Sequence, residues 1–258
     1  MGLLQDKVLL VSGGTQGLGA GVARAAVREG AVVVVTGRSR TRGEAVAHEL
    51  TGAGATARFL PCDVADVSQI EAVVEATLAE FGRVDCLVNS AGLTSRGTLV
   101  DTTPDLFDDH IAVNLRGPFF LMQAVVRSML ADNRSGTIVN IITSSQHGGQ
   151  PFLAPYVAAK AGLAGLTRNA AHAHRWDRIR INGINIGWTE TEGEDVVQRT
   201  FHGADDGWLE RAAAKQPMGK LGQVDEIADF VVFLLSERSG VVTGSVIDWD
   251  QIVFGGLD

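Results

Sequence analysis

Short runs of β-branched and apolar residues alternate with helical stretches along almost the whole chain, and this alternation restricts the fold more than any other feature. Lys7–Ser12 (KVLLVS) is an apolar run that ends at Gly13, as a strand buried on both faces does. Leu18–Glu29 then places Leu18, Val22, Ala25, Ala26 and Val27 at helical spacing, with Gly30 as its stop. The cycle predicts further strands at Ala31–Thr36, Thr56–Pro61, Val84–Asn89, Gly136–Thr143, Arg180–Asn185 and Ser245–Trp249. Helices are predicted at Arg42–Leu50, Val67–Phe81, Asp105–Ala131, Ala154–Arg175 and Asp225–Ser236. Parallel strands need crossover connections, and helices between strands supply them on both faces of a sheet. The expected class is α/β: a doubly wound parallel sheet with helices on both faces, built as a single domain over residues 1–258. One stretch, Gly187–Gln216, reads as irregular, and a loop this long in a compact domain is expected to be a flexible substrate loop.

The rest of the composition narrows the function. A hydrophobic fraction of 45% with 20% charged residues is that of an ordinary globular chain. A net charge of −8 offers no basic face for phosphate neutralisation and argues against nucleic acid as a partner. No apolar run reaches the length of a membrane span and the first residues have no signal-peptide pattern, so no membrane partner and a cytoplasmic location are expected. Cys62 and Cys86 are too few for a disulfide framework, and no His/Cys/Asp cluster has metal-ligand spacing.

The turn after the first strand reads Ser12-Gly-Gly-Thr-Gln-Gly-Leu-Gly19. Doubly wound sheets bind a dinucleotide pyrophosphate here, on the free N–H groups of the first helix. Gly13, Thr15, Gln16, Gly17, Leu18 and Gly19 are the expected cofactor contacts. The second strand is followed by Arg38-Ser39-Arg40, with no carboxylate before Glu44. A guanidinium suits a 2′-phosphate where a carboxylate would hold a 2′-hydroxyl, so Arg38 and Ser39 favour NADP over NAD. Solvated loop charges are the other reading of the two arginines.

Tyr156, the one tyrosine of the chain, stands four residues before Lys160 in a predicted helix, so the two share a face. A free phenol titrates too high for acid–base work at neutral pH, and a neighbouring ammonium lowers it. Taken alone, the pair reads better as a core tyrosine beside a surface lysine. Thirteen residues upstream, however, Thr143, Ser144 and Ser145 end the fifth strand at the edge where such sheets bind ligands.

With these motifs in view the chain resembles the short-chain dehydrogenase/reductase family from about Lys7 to Gly255, which implies a Rossmann-like fold and an NAD(P)-dependent oxidoreductase. The resemblance implies that Asp63, followed by Val64, contacts adenine. It implies that Asn89, Ala91 and Gly92 form the family's N-N-A-G motif, with Ser90 for the second Asn. Gly187, Thr189 and Thr191 match the segment that holds the carboxamide, and Asn114 matches the proton-relay asparagine. Tyr156 is then the general acid or base for a secondary alcohol–ketone pair, and Lys160 lowers its pKa and holds the nicotinamide ribose. Three departures stand out. The catalytic serine position is Thr143, with Ser144 next to it as the other candidate. Ile186 replaces a proline, and Asp250-Gln-Ile252 replaces D-G-G.

Gln146, His147, Gln150 and Trp188 form the expected substrate wall, which would suit a small hydroxylated molecule such as a sugar or polyol; solvated loop residues are the alternative. Trp176 and Trp208 read as packing residues. By resemblance the protein would be a homotetramer or dimer, pairing Asp105–Ala131 and Ala154–Arg175, with the apolar tail Ile252–Leu257 buried in a second interface. The competing function is a catalytically inactive nucleotide-sensing protein on the same fold.

Overall fold

The computed structural model of the chain describes residues 2–255. Its sheet has seven parallel strands: β1 (Val8–Ser12), β2 (Val32–Gly37), β3 (Ala57–Pro61), β4 (Cys86–Asn89), β5 (Gly136–Thr143), β6 (Ile179–Ile186) and β7 (Val246–Trp249). They lie in the order β3-β2-β1-β4-β5-β6-β7. The crossovers carry α1 (Gly17–Arg28), α2 (Arg40–Gly52), α3 (Val67–Phe81), α4 (Pro104–Ile111), α5 (Gly117–Ala131) and α6 (Ala154–His174). Beyond β6 follow α7 (Glu192–His202), α8 (Trp208–Ala213) and α9 (Val224–Leu235).

The period-two alternation of strand side chains assigns the two faces. Leu9, Val11, Val33, Val35, Val88, Val139 and Ile184 pack under α1, α2 and α9. Leu10, Val34, Leu87, Ile138 and Ile181 pack under α3 and α5. Both faces are covered, which is why the central strands read as unbroken apolar runs. The chain runs from β1 outward to β3 and then returns to β4 on the other side of β1. The loops after β1 and β4 therefore diverge, and a crevice opens at the carboxyl edge between them.

Three expectations are corrected. The predicted helix Asp105–Ala131 is broken by a π turn at Ala112–Arg116 between α4 and α5. Pro118 has no N–H to give the Asn114 carbonyl, so the regular ladder fails one turn before it. The stretch Gly187–Gln216 holds α7 and α8. Thr191 caps α7 by accepting from Glu194 N at 3.0 Å, Glu192, Glu194 and Asp195 complement its dipole, and Gly203 ends it at φ +61°. Trp208 is buried against Ala212 and Leu221 as expected, whereas Trp176 stands 84% exposed in the turn after α6.

The departures at Ile186 and Gln251 are accommodated. Ile186 extends β6, in register between Thr143 and Trp249. The Gln251 side-chain amide accepts from Met218 N and donates to Lys220 O, both at 2.7 Å, and so ties the C-terminal segment to the chain leaving α8. Ile252 and Val253 are exposed, and the end of the tail expected at an interface lies outside the described residues. Among the described residues no helix is long and apolar enough to cross a membrane.

Candidate active site

Backbone geometry shapes the floor of the crevice. Gly13 has φ +71°, and a Cβ there would stand 2.6 Å from Ala91 N, so only glycine lets the turn after β1 approach the turn after β4. At Gly19 a Cβ would meet Gly13 O at 2.2 Å, so α1 starts directly on the turn. The first backbone bond into α1 runs from Ala20 N to Gln16 O, and Gln16 makes no side-chain cap. The N–H groups of Gly17, Leu18 and Gly19 have no acceptor among the described residues, an anion-binding arrangement.

These groups border a cleft of 690 Å³, whose lining includes Gly13, Thr15, Gln16, Gly17, Leu18 and Gly19 at one wall. Arg38 and Ser39 stand at its outer end, Asp63 and Val64 beside them, and Ala91, Gly92, Tyr156, Lys160 and Thr191 along the rest. The volume is that of a typical cofactor site. Among the described residues Arg38 has no ion-pair partner, while Arg40 pairs with Glu44 at 3.2 Å. Ser39 caps α2 by accepting from Arg42 N. Arg42, which spacing gave no reason to select, also lines the cleft and bonds Gln16. The donor set fits a dinucleotide: open helix N–H groups for the pyrophosphate and an unpaired guanidinium for a further anionic group.

Other expected contacts lie outside the lining. Asn89 donates to Asn140 Oδ1 at 2.8 Å and ties β4 to β5; its own Oδ1 is buried without a partner. Gly187 approaches Asp250, and Thr189 donates to Gly187 O at 2.9 Å, so both shape the exit from β6.

Beside the inner end of the cleft the Thr143 hydroxyl lies close to the Tyr156 phenol and accepts from Ser145 N at 3.2 Å. The Ser144 hydroxyl makes no hydrogen bond among the described residues. Burial pushes Tyr156 up to about 12, with the Thr143 hydroxyl and the Arg96 charge pulling the other way. Lys160 is buried and pushed down to about 8. Its ammonium donates to Ile141 O at 2.7 Å and stands 5.8 Å from the Tyr156 ring centre. The expected lowering of Tyr156 by Lys160 is not found: Lys160 is turned to Ile141 O, and only Thr143 and Arg96 oppose the rise that burial imposes.

Asn114 is fully buried. Its Oδ1 accepts from Leu93 N at 2.9 Å, and its Nδ2 donates to Leu93 O at 2.9 Å and to His110 Nδ1 at 3.1 Å. The side chain thus pins the loop after β4. His110 packs edge-on to Tyr156 at 6.1 Å and bonds Ser95 O at 3.1 Å. Nothing in the spacing singled out His110.

The expected substrate wall is only partly assembled. His147 turns to β7, with Nε2 3.1 Å from Asp248 Oδ1 and its ring 4.4 Å from that of Phe254. Gln146 bonds His147, and Gln150 is exposed. Trp188 donates to Glu194 Oε1 at 2.7 Å and stacks on Trp208. The charges that act on Tyr156 come instead from Arg96 and Glu194.

Residues 13–251 match a family model described as enoyl-(acyl carrier protein) reductase. The chain is 33% identical to a 3-oxoacyl-[acyl-carrier-protein] reductase of Thermotoga maritima, over 98% of each chain. It is 33% identical to a galactitol 2-dehydrogenase of Agrobacterium fabrum, over 96% of this chain and 97% of the relative. Among solved structures, a single-substitution variant of the actinorhodin polyketide ketoreductase with NADPH superposes with a TM-score of 0.90 at 31% identity, covering 95% of this chain and 96% of the other.

Proposed function

The chain belongs to the short-chain dehydrogenase/reductase family, and from that premise we propose that this oxidoreductase interconverts a small, oxygen-rich secondary alcohol and its ketone, with NADP as the preferred cofactor. The observation that carries the reading is that Tyr156 and Lys160 line the cleft that starts at the glycine turn, with the Thr143 hydroxyl close to the phenol. The relatives that act on galactitol and on 3-oxoacyl groups support an alcohol–ketone pair.

The nicotinamide, when bound, supplies or accepts the hydride. The chain manages the proton. Tyr156, protonated at neutral pH, donates to the carbonyl oxygen in reduction. The Thr143 hydroxyl donates to the same oxygen as negative charge develops there. Lys160, fixed on Ile141 O, offers its remaining N–H groups to the cleft and holds the ribose. Gly17, Leu18 and Gly19 hold the pyrophosphate, and Arg38 a 2′-phosphate. The exposed Phe107, Phe119 and Leu130 of α4 and α5 support pairing of copies through this face.

Arg38→Asp tests the cofactor assignment. The ratio of kcat/KM for NADP+ to that for NAD+ is expected to fall about 10–100-fold, the worth of one charge-assisted hydrogen bond. An unchanged ratio removes Arg38 from the phosphate site.

Reaction direction should follow pH. Oxidation needs the phenolate, whose fraction grows about tenfold per pH unit below the phenol's own value near 12. Alcohol oxidation is therefore expected to climb from neutral pH to the upper limit of enzyme stability. Ketone reduction, which uses the protonated form, is not expected to climb. Oxidation that declines with pH contradicts the assignment.

A further inference from the structure

One charged side chain beside Tyr156 is left without a matching partner. Arg96 lies on the loop after β4, and its backbone is clamped on both sides. His110 Nε2 bonds the carbonyl of the preceding Ser95 at 3.1 Å. Gly97 N donates to Phe152 O at 2.9 Å, and Ala154 N donates to Gly97 O at 3.0 Å. That second clamp ends two residues before Tyr156, so the loop is held against the start of α6.

The guanidinium is flanked by two rings, 5.3 Å from the centre of Phe152 and 5.7 Å from that of Phe201 on α7. Its Nη1 donates to Thr94 O at 2.9 Å. Its Nη2 meets only the imidazole of His202 at 3.3 Å, and its Nε is buried with no hydrogen-bond partner. Nε and Nη2 form one edge of the guanidinium fork, the edge that takes a carboxylate with two parallel bonds. Here that edge faces one imidazole nitrogen and holds one orphan donor.

No carboxylate lies within ion-pair distance of Arg96 among the described residues. Glu194 is the one whose field reaches it, and its Oε1 is committed to Trp188 Nε1 at 2.7 Å and Gln198 Nε2 at 2.8 Å. A guanidinium half-buried between aromatic rings, with its Nε shut off from water and unpaired, gains more than a fully solvated one from an anion. Burial already disfavours its charged form.

We propose that Arg96 is a specificity-determining residue that binds a carboxylate of the substrate through its Nε–Nη2 edge, so that the alcohol or ketone turned over is a hydroxy acid or oxo acid. The inference rests on the oxidoreductase reading above and sharpens its substrate class. The carboxylate replaces His202 as the acceptor and sits between the loop after β4 and α7, with the reacting carbon toward Tyr156. A polyol lacks the group this edge selects.

Pairs of similar size, one member with a carboxylate and one without, test it. Short-chain 2- and 3-oxo acids are compared with their methyl esters in NADPH oxidation, and aldonates with the corresponding alditols in NADP+ reduction. For at least one pair the wild type is expected to prefer the acid by about 10-fold or more in kcat/KM, with the difference mainly in KM. In Arg96→Gln the acid-to-neutral ratio should collapse to near one. In Arg96→Lys, which keeps the charge and loses the fork, it should be intermediate, and circular dichroism reports whether each variant folds. Wild-type turnover of neutral members equal to or better than the acids across the panel overturns the carboxylate assignment and leaves the oxidoreductase reading standing. So does an Arg96→Gln variant that keeps the wild-type ratio. A folded wild type that turns over no member of either class overturns both.

Discussion

Tyr156→Phe is expected to lower turnover by about 10²–10⁴, the usual contribution of a positioned general acid, while cofactor affinity and thermal stability change little. The substitution removes one oxygen and keeps the ring that packs edge-on to His110 and faces Lys160. What is lost is the hydroxyl that lies close to Thr143. Steady-state rates with titration of NADPH binding separate the two effects. A variant that turns over at the wild-type rate would end the proton-transfer role. A variant that fails to bind cofactor would show that the phenol serves mainly to hold the nucleotide.

Thr143→Val carries the second large effect. Valine nearly matches the shape of threonine and lacks the hydroxyl, so the substrate oxygen loses a donor as its charge develops. Removal of such a donor costs about 10²–10³ in kcat. Thr143→Ser should restore most of the rate, because the hydroxyl returns. Ser144→Ala should cost less than about tenfold on the same scale, since its hydroxyl makes no bond at the site. The reverse ranking would assign the donor to Ser144. Two candidates that spacing could not separate are distinguished by one contact: β5 ends at Thr143 and delivers that side chain to Tyr156, while Ser144 begins the following turn.

The sheet was legible because every inner strand is covered on both faces. A run such as AVVVVT at Ala31–Thr36 has no other stable place. The glycine turn was legible because its chemistry is backbone chemistry: Gly13 and Gly19 sit where a Cβ would collide. The break at Ala112–Arg116 was spelled by Gly117-Pro118 but masked by the apolar spacing around it. Helix α7 was missed because its face is polar, although Thr191 with Glu194 three residues on is a capping pattern.

The polar surroundings of Tyr156 were far less legible. His147 follows β5 directly and so reads as cleft wall, yet Asp248 on β7 claims its ring, which depends on the register of a strand a hundred residues away. Lys160 stands four residues from Tyr156, yet a backbone carbonyl of β5 takes its ammonium. Arg96, His110 and Glu194 reach the site only through tertiary contacts, from the loop pinned to α6, from α4 and from α7. Isolated polar residues carry no period, so sequence gives no reason to select them.

Isotope transfer reads most directly whether hydride and proton move as assigned. NADPH deuterated at the transferring position of the nicotinamide is incubated with the oxo substrate the wild type turns over best, and the alcohol product is analysed by mass spectrometry. The expected result is one deuterium at the carbinol carbon from the wild type, and Tyr156→Phe product reduced by about the factor given for loss of the general acid. Unlabelled alcohol, or labelled alcohol formed equally fast by both proteins, would contradict the assignment of Tyr156 and the cofactor to this reaction.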